Sequence, residues 1–372
     1  MTDFGICHNA DMPRSRLTPE TARIWRLKWA RSITYYSGGN GLAWQRTIES
    51  ARALRAVGTQ SLVVFNTEAY GGAVKDIGRL CSELERFLDL AGGAVAAIEP
   101  GNELDTPGWT EDGRPIDDGG APIGDQLIID IGAAAADVCS RYGVLCLAPS
   151  LLSGPGEGRF EAIARGLVGS KVHGMAVHPY GRSAGGHPSP GWIWGTIEDA
   201  ADECDRLGHG FRTWFTELGC WTRRGDLGEA KQREFVRAAA TFQHRAIEMV
   251  SYFALNDWVV PDAEMAELKD WGIFTRAGTP KLSAAALPTS IQLGQTGSGG
   301  QAMSDLSAWA GKIGSGLLDM MAQDGTRPAQ RGSTWLPLGV TPSDVEQCYG
   351  ENGTLYVWLL GPGTGHRFPA DQ

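Results

Sequence analysis

The sequence predicts an α/β fold: a (β/α)8 TIM barrel with a small C-terminal appendage. Strand-like and helix-like segments alternate strictly through residues 1–290 of a 372-residue chain. There are eight such pairs, and several of the strand segments are apolar almost throughout, as strands covered on both faces are. Alternation of this kind means parallel strands joined by helices, and eight units at this length suit a closed barrel better than an open doubly wound sheet.

Each element has its own local reason. "DFGICHN" is the first strand; "TPETARIWRLKWA" follows as a helix with Thr18 as N-cap, Pro19 at the first helical position and Glu20 in the first turn. "SITYYS" is strand two, and "WQRTIESARALRAVG" an amphipathic helix stopped by Gly58. "SLVVFNTE" and "VKDIGRLCSELERFLDLAG" form the third pair, "AVAAIEPGNE" and "DQLIIDIGAAAADVCSRYG" the fourth. "VLCLAPS" with "RFEAIARGLVG", "VHGMAVHPY" with "TIEDAADECDRLG", and "RTWFTELG" with "EAKQREFVRAAATFQHRAIE" continue the alternation. "MVSYFALND" is strand eight, and "TPKLSAAALPTSI" its helix. Residues 291–302, rich in Gly, Ser and Gln, read as a linker. Residues 303–372 read as a small appendage of unassigned fold, with a glycine-weakened helix at 302–325 and a strand in "GTLYVWLLG".

Composition narrows the function classes. Formal net charge is −10, and an acidic surface repels phosphate backbones, so nucleic acid is not an expected partner. No apolar run approaches the roughly 20 residues that span a bilayer. The seven cysteines are scattered without a C-x-x-C pair, so buried free thiols are expected in place of a disulfide framework or a zinc knuckle. The stretch "MTDFGICHNADMPRSR" lacks the charged, apolar and cleavage regions of a signal peptide, which makes cytoplasmic residence the default expectation. An extracellular protein, or one released by lysis as phage proteins are, would read the same way. Tryptophan is over-represented, with 13 copies, which directs attention to stacking platforms as well as core.

In a barrel of this kind the active site lies at the C-terminal ends of the strands. Strand three ends in Asn66 and Glu68, strand four in Asn102 and Glu103, strand six in His178 and Tyr180, strand seven in Glu217, and strand eight in Asn256, Asp257 and Trp258. Arg31, just before strand two, can reach the rim. Glu103 and Glu217 lie on opposite sides of the barrel and can face each other across the pocket. Paired carboxylates cleave glycosidic bonds, one donating a proton to the leaving oxygen and the other attacking the anomeric carbon. The flanking groups suit that division. Asn102 can hydrogen-bond a sugar 2-hydroxyl, Tyr180 can hold Glu217 charged, His178 can orient a carboxylate, and Trp258 can form a floor under the ring. Trp109, Trp192, Trp194 and Trp221 lie in loops flanking the site and are sugar-stacking candidates, with Trp221 nearest strand seven. Trp25 and Trp29 stand at helical spacing and read as core or helix packing. Glu68 reads as a substrate contact or a solvated loop residue, and Asp105 and Asp257 as loop caps.

These residues resemble the retaining glycoside hydrolases of clan A. The resemblance rests on "EPGNELD" on strand four, "VHPYG" on strand six, "WFTELG" on strand seven, "YFALNDW" on strand eight and the ending "WGIFTRAGTPKLSAAAL". It covers roughly residues 3–290. It implies that Glu103 is the acid/base, Glu217 the nucleophile and Asn102 the residue before the acid/base, with His178, Tyr180 and Trp258 lining the catalytic subsite. The sequence has Asn-Glu-Leu where many members have Asn-Glu-Pro, so the individual family stays open. The expected substrate is an oligo- or polysaccharide, with a β-linked glycan or cell-wall polysaccharide favoured. No cofactor is expected. No metal is expected either: His8 and Asn9 end strand one where metal-dependent barrels carry His-x-His, and the second His is missing. The alternative reading is a non-catalytic carbohydrate-binding barrel, such as a phage or wall-attachment module. The separation of the two carboxylates discriminates, since about 5–5.5 Å marks a retaining enzyme and about 6.5–9.5 Å an inverting one.

Overall fold

The computed structural model describes residues 2–10, 16–35, 41–66, 75–105, 123–152, 159–179, 195–220, 222, 228–257, 271–275, 281–287, 345–351, 354–359 and 365–369. The chain forms two compact units, Met1–Pro288 and Thr289–Gln372.

The first unit is a barrel of eight parallel strands: β1 (Asp3–Cys7), β2 (Trp29–Tyr35), β3 (Gln60–Asn66), β4 (Ala97–Glu99), β5 (Leu145–Cys146), β6 (Gly174–Val177), β7 (Arg212–Leu218) and β8 (Ile247–Tyr252). Hydrogen-bonded neighbours run β5-β4-β3-β2-β1-β8-β7-β6. The ring closes where the chain after β5 meets β6, through parallel bridges Leu147–Gly174 and Leu151–Val177. His178 N–H donates to Leu151 O at 2.8 Å across that seam.

Among the described residues, seven α-helices lie between the strands: α1 (Pro19–Ile24), α2 (Gly41–Arg55), α3 (Ile77–Ala91), α4 (Asp125–Tyr142), α5 (Arg159–Leu167), α6 (Gly195–Leu207) and α7 (Gly228–Thr241). Their ends follow local chemistry. Thr18 Oγ1 accepts from Thr21 N–H and caps α1, and Asp76 accepts from Arg79 N–H to cap α3. α3 and α4 end on left-handed glycines, Gly92 and Gly143.

Three segments depart from the sequence expectation. α1 stops at Ile24, with Arg26 left-handed just beyond it, so Trp29 belongs to β2 and not to a helix. α7 ends at Thr241, and β8 begins at Ile247, earlier than its letters suggest. The expected eighth helix is a 3-10 turn, Leu282–Ala286. Leu287, which precedes Pro288, is extended with ψ 139°, because a residue before proline is pushed out of the helical region.

The second unit contains a three-stranded antiparallel sheet, β9 (Val345–Glu351), β10 (Thr354–Leu359) and β11 (Gly365–Pro369), with β10 central. β10 is the strand read from "GTLYVWLLG". The expected linker and the segment 302–325 lie outside the described residues.

The core has two shells. Between strands and helices packs a large apolar cluster that includes Phe65, Phe87, Phe160, Phe215 and Leu218. Inside the barrel sits a separate small cluster: Trp29, Leu62, Ala97, Leu147, Ala176, Trp214 and Met249. Trp29 and Trp214 meet edge to face at 4.8 Å and fill the barrel floor. Gly5 on β1 makes room for them, since a Cβ there would lie 2.9 Å from Trp29 Cβ. Side chains alternate along a strand, so residues two positions further on share this inner face. Those residues are Arg31 after Trp29, Glu99 after Ala97, His178 after Ala176 and Thr216 after Trp214.

Candidate active site

This second inner layer is charged, and it is as buried as the first. Arg31 is 1% exposed, Glu99 and His178 are 0% exposed, and Glu217 is 6% exposed. Arg31 organises the group. Its Nε donates to Glu99 Oε2 at 3.1 Å and its Nη2 to Glu99 Oε1 at 2.7 Å, a two-point pairing. Nη1 donates to Glu217 Oε1, and Nη2 also reaches Asn102 Oδ1 at 2.8 Å. Arg31 therefore stands within β2, pointing into the barrel, deeper than the rim position its place in the sequence suggests.

Glu217 reaches this layer through an irregularity in β7. Phe215 pairs with Val250, and Leu218 pairs with Tyr252, so three steps on β7 match two on β8. Phe215 and Leu218 both belong to the outer cluster. Strict alternation would leave one inward residue between them, but the bulge supplies two, Thr216 and Glu217. Thr216 Oγ1 bonds His178 Nε2 at 3.1 Å, while Glu217 meets Arg31.

Glu103 arrives by a different route. It lies beyond β4, in a turn where Gly101 has φ 112° and Glu103 itself has φ 51°. A left-handed glutamate is uncommon and costs about 1 kcal/mol or more, so the surroundings must hold it. Ser150 does so: its Oγ accepts from Glu103 N–H at 3.0 Å, and its own N–H donates to Gly101 O at 3.3 Å. Glu103 Oε1 then sits 2.7 Å from His178 Nδ1.

His178 links the two carboxylates. Nδ1 lies 2.7 Å from Glu103 and 3.7 Å from Glu217 Oε2. A carboxylate only accepts, so Nδ1–H donates to Glu103 Oε1, while Nε2 faces Thr216 Oγ1 at 3.1 Å and Arg31 Nη2 at 3.3 Å. Burial works to lower the His178 pKa, but the charge of Glu217 and the bond and charge of Glu103 outweigh it and hold it above its ordinary value. For Arg31, likewise, burial opposes the charge, and Glu99 and Glu217 more than restore it. Cys7, on the same layer, is pushed up to about 12, chiefly by burial, so it is a neutral thiol.

Glu103, His178 and Glu217 each offer one ligand atom, and those atoms all lie within 4.8 Å of one another. Such a trio can in principle hold a cation. The guanidinium of Arg31 already bonds Glu217, and its charge opposes a second cation there.

A cleft with about 310 Å³ of empty space, counting the part open to solvent, borders the layer on the β1, β2 and β8 side. Cys7, His8, Asn9, Arg31, Ile33 and Phe253 to Asn256 line it. His8 Nδ1 accepts from Leu17 N–H at 3.3 Å, and burial, with Arg16 nearby, depresses its pKa to about 3.

Of the residues expected to form the site, the structure brings Arg31, Asn102, Glu103, His178 and Glu217 together. Asn66 is buried at the end of β3. Glu68, Tyr180, Trp221 and Trp258 lie outside the described residues, as do Trp109, Trp192 and Trp194. Asp105 accepts from Leu152 N–H, and Asp257 from Gly272 N–H and Lys281 Nζ, which are structural roles. Sequence reasoning passed over Glu99, Ser150 and Thr216. For Glu99 a signal existed: a lone acid within an apolar run two residues beyond Ala97 must find a buried partner.

No protein-family model matches the sequence, and no curated protein matches it. Solved structures do match in fold. GH5_18 from Bifidobacterium longum subsp. infantis superposes with a TM-score of 0.58 at 14% identity, over 77% of this chain and 78% of that one. A glutamate-to-alanine variant of GH5_18 from Streptomyces cattleya, in complex with Manβ1-4GlcNAc, gives 0.59 at 13% identity, over 80% and 82%. A family 39 glycoside hydrolase from Bacteroides cellulosilyticus WH2 gives 0.51 at 14% identity, over 77% and 62%. The chain therefore has the (β/α)8 barrel fold found in these glycoside hydrolases.

Proposed function

We propose that the protein is a retaining glycoside hydrolase, with Glu103 as acid/base and Glu217 as nucleophile. One observation carries the reading: a Glu103 oxygen and a Glu217 oxygen lie within 4.8 Å of each other at the mouth of the barrel. That upper limit, for one oxygen of each, is compatible with the about 5–5.5 Å between carboxyl groups in retaining enzymes and lies below the about 6.5–9.5 Å of inverting ones.

The chemistry follows from the contacts. Arg31 binds Glu217 Oε1 and keeps the carboxylate charged and aimed, and Oε2 attacks the anomeric carbon. His178 Nδ1–H holds Glu103 Oε1, so the other Glu103 oxygen carries the proton that passes to the leaving oxygen. The glycosyl–Glu217 ester is then hydrolysed by a water that gives its proton back to Glu103. The Glu103 side chain is 24% exposed and that of Glu217 only 8%, which suits a leaving group and water arriving on the Glu103 side. Asn102 and Asn66 are assigned to the sugar, together with Glu68, Tyr180, Trp221 and Trp258 on the strength of the sequence, while the buried Arg31 acts through Glu217 and Asn102. A β-linked glycan is the favoured substrate, because the structurally similar GH5_18 from Streptomyces cattleya is seen with a β1-4-linked disaccharide.

The test is a panel of β-mannosides, β-glucosides and wall glycans scored by product anomer. Glu217→Ala should lower turnover about 10⁴-fold or more, and azide should restore it with an inverted product. Glu103→Gln should lose activity on poor leaving groups and keep much of it on activated aryl glycosides. Parental turnover in both variants would sink the reading.

A further inference from the structure

Glu99 has no part in the steps just described, yet it is the most buried carboxylate of the layer and makes the most complete pairing in it. Its two oxygens take Nε and Nη2 of Arg31, at 3.1 and 2.7 Å. That pairing fixes the plane and rotation of the guanidinium. The remaining donors are then directed at Glu217 through Nη1 and at Asn102 through Nη2. A lone arginine on a flexible stem would not present both edges at once.

The charges make the same point. Arg31 of β2 faces Cys7 of β1, Glu99 of β4, His178 just after β6 and Glu217 of β7, with Asn102 and Glu103 in the turn after β4. Cys7 is neutral. Without Glu99, the full charge of Arg31 would fall on Glu217, making it a weaker base and a weaker nucleophile. With Glu99, Arg31 is shared between two carboxylates and only one of them is placed to react.

We propose that Glu99 is the positioning residue of the site: it clamps Arg31 so that the guanidinium aims Glu217 and Asn102, and it offsets enough of the Arg31 charge to leave Glu217 nucleophilic. The proposal rests on the glycosidase reading above.

Glu99→Gln tests it, since the amide keeps the shape and removes the charge. With kcat and KM followed across pH on the best substrate of the panel, kcat should fall about 10- to 100-fold, as when a carboxylate that orients a ligating side chain is lost. KM should stay close to the parental value. The acidic limb of the kcat profile should move down by about one pH unit, because Glu217 then has Arg31 to itself. A merely structural carboxylate would lower activity equally at every pH, or only through less folded protein; either result, or parental kcat, overturns the proposal. If circular dichroism shows that Glu99→Gln does not fold, Glu99→Asp decides. It keeps the charge and withdraws the carboxylate by one methylene, so kcat should fall while the acidic limb stays in place, and parental kcat would again overturn the idea. The two readings fail separately. Activity that survives Glu217→Ala defeats the glycosidase assignment, whereas activity that depends on Glu217 and ignores Glu99 defeats only the role of Glu99.

Discussion

Trp29 and Arg31 are neighbours on the inner face of β2, as Ala97 and Glu99 are on β4 and Trp214 and Thr216 on β7. Both layers are buried, and both come from the same strands. The lower layer is apolar and closes on Trp29 against Trp214. The upper layer holds Arg31, Glu99, His178 and Glu217. The lower layer gains from taking hydrocarbon out of water. The upper layer gives up hydration of several charges and recovers it only through close pairing. A buried ion pair is a weak source of stability, so the difference teaches that the lower layer holds the strands in place and that the upper layer, on the proposed reading, is arranged for chemistry.

The contrast can be broken from either side. Trp214→Ala should cost about 3–5 kcal/mol of unfolding free energy, seen in urea titrations, while turnover per folded molecule stays near the parental value. A large loss of turnover in well-folded protein would mean that the floor also shapes the site.

From the other side, Arg31→Met alone should cost about 3–5 kcal/mol, because it strands Glu99 as a buried charge. Arg31→Met combined with Glu99→Met should recover the part of that loss that Glu99 causes, since two apolar side chains can replace a buried pair at little cost, while Glu217 still lacks its Arg31 partner. Activity should be absent in both. A double variant as unstable as the single one would show that the charged layer supports the fold after all.

The smallest effect concerns His8, at the edge of the charged layer. Its pKa falls from 6.5 unfolded to about 3 folded, so the unfolded chain binds the proton first as pH drops. The stability it contributes is complete above about pH 6.5 and declines as pH falls toward 3. By pH 5 the loss should be about 2 kcal/mol. His8→Asn should flatten that dependence, and urea midpoints at pH 7 and 5 that shift as much as in the parent would refute it.

Much of this was legible in the letters. Eight alternating units gave the barrel, and carboxylates after strands four and seven marked Glu103 and Glu217. Two things were not. The reach of Arg31 and the need for Glu99 depend on strand starts and on inward faces, and β2 begins at Trp29 where the letters suggest a helix end. The inward turn of Glu217 depends on one extra residue of register, which leaves no mark in "RTWFTELG". Propensity speaks to what a segment forms, and burial patterns speak to its faces, but neither reports where a ladder slips.

That slip has an evolutionary reading. Were β7 in regular register with β8, alternation from Phe215 would turn Thr216 inward and Glu217 toward the helices. A barrel could then keep every residue of the pocket by letter and lose the attacking group by geometry. Descent from a cutting enzyme to a sugar-holding one would need no change at the glutamates. Kinship judged by matching residues would miss that event, and kinship judged by strand register would see it.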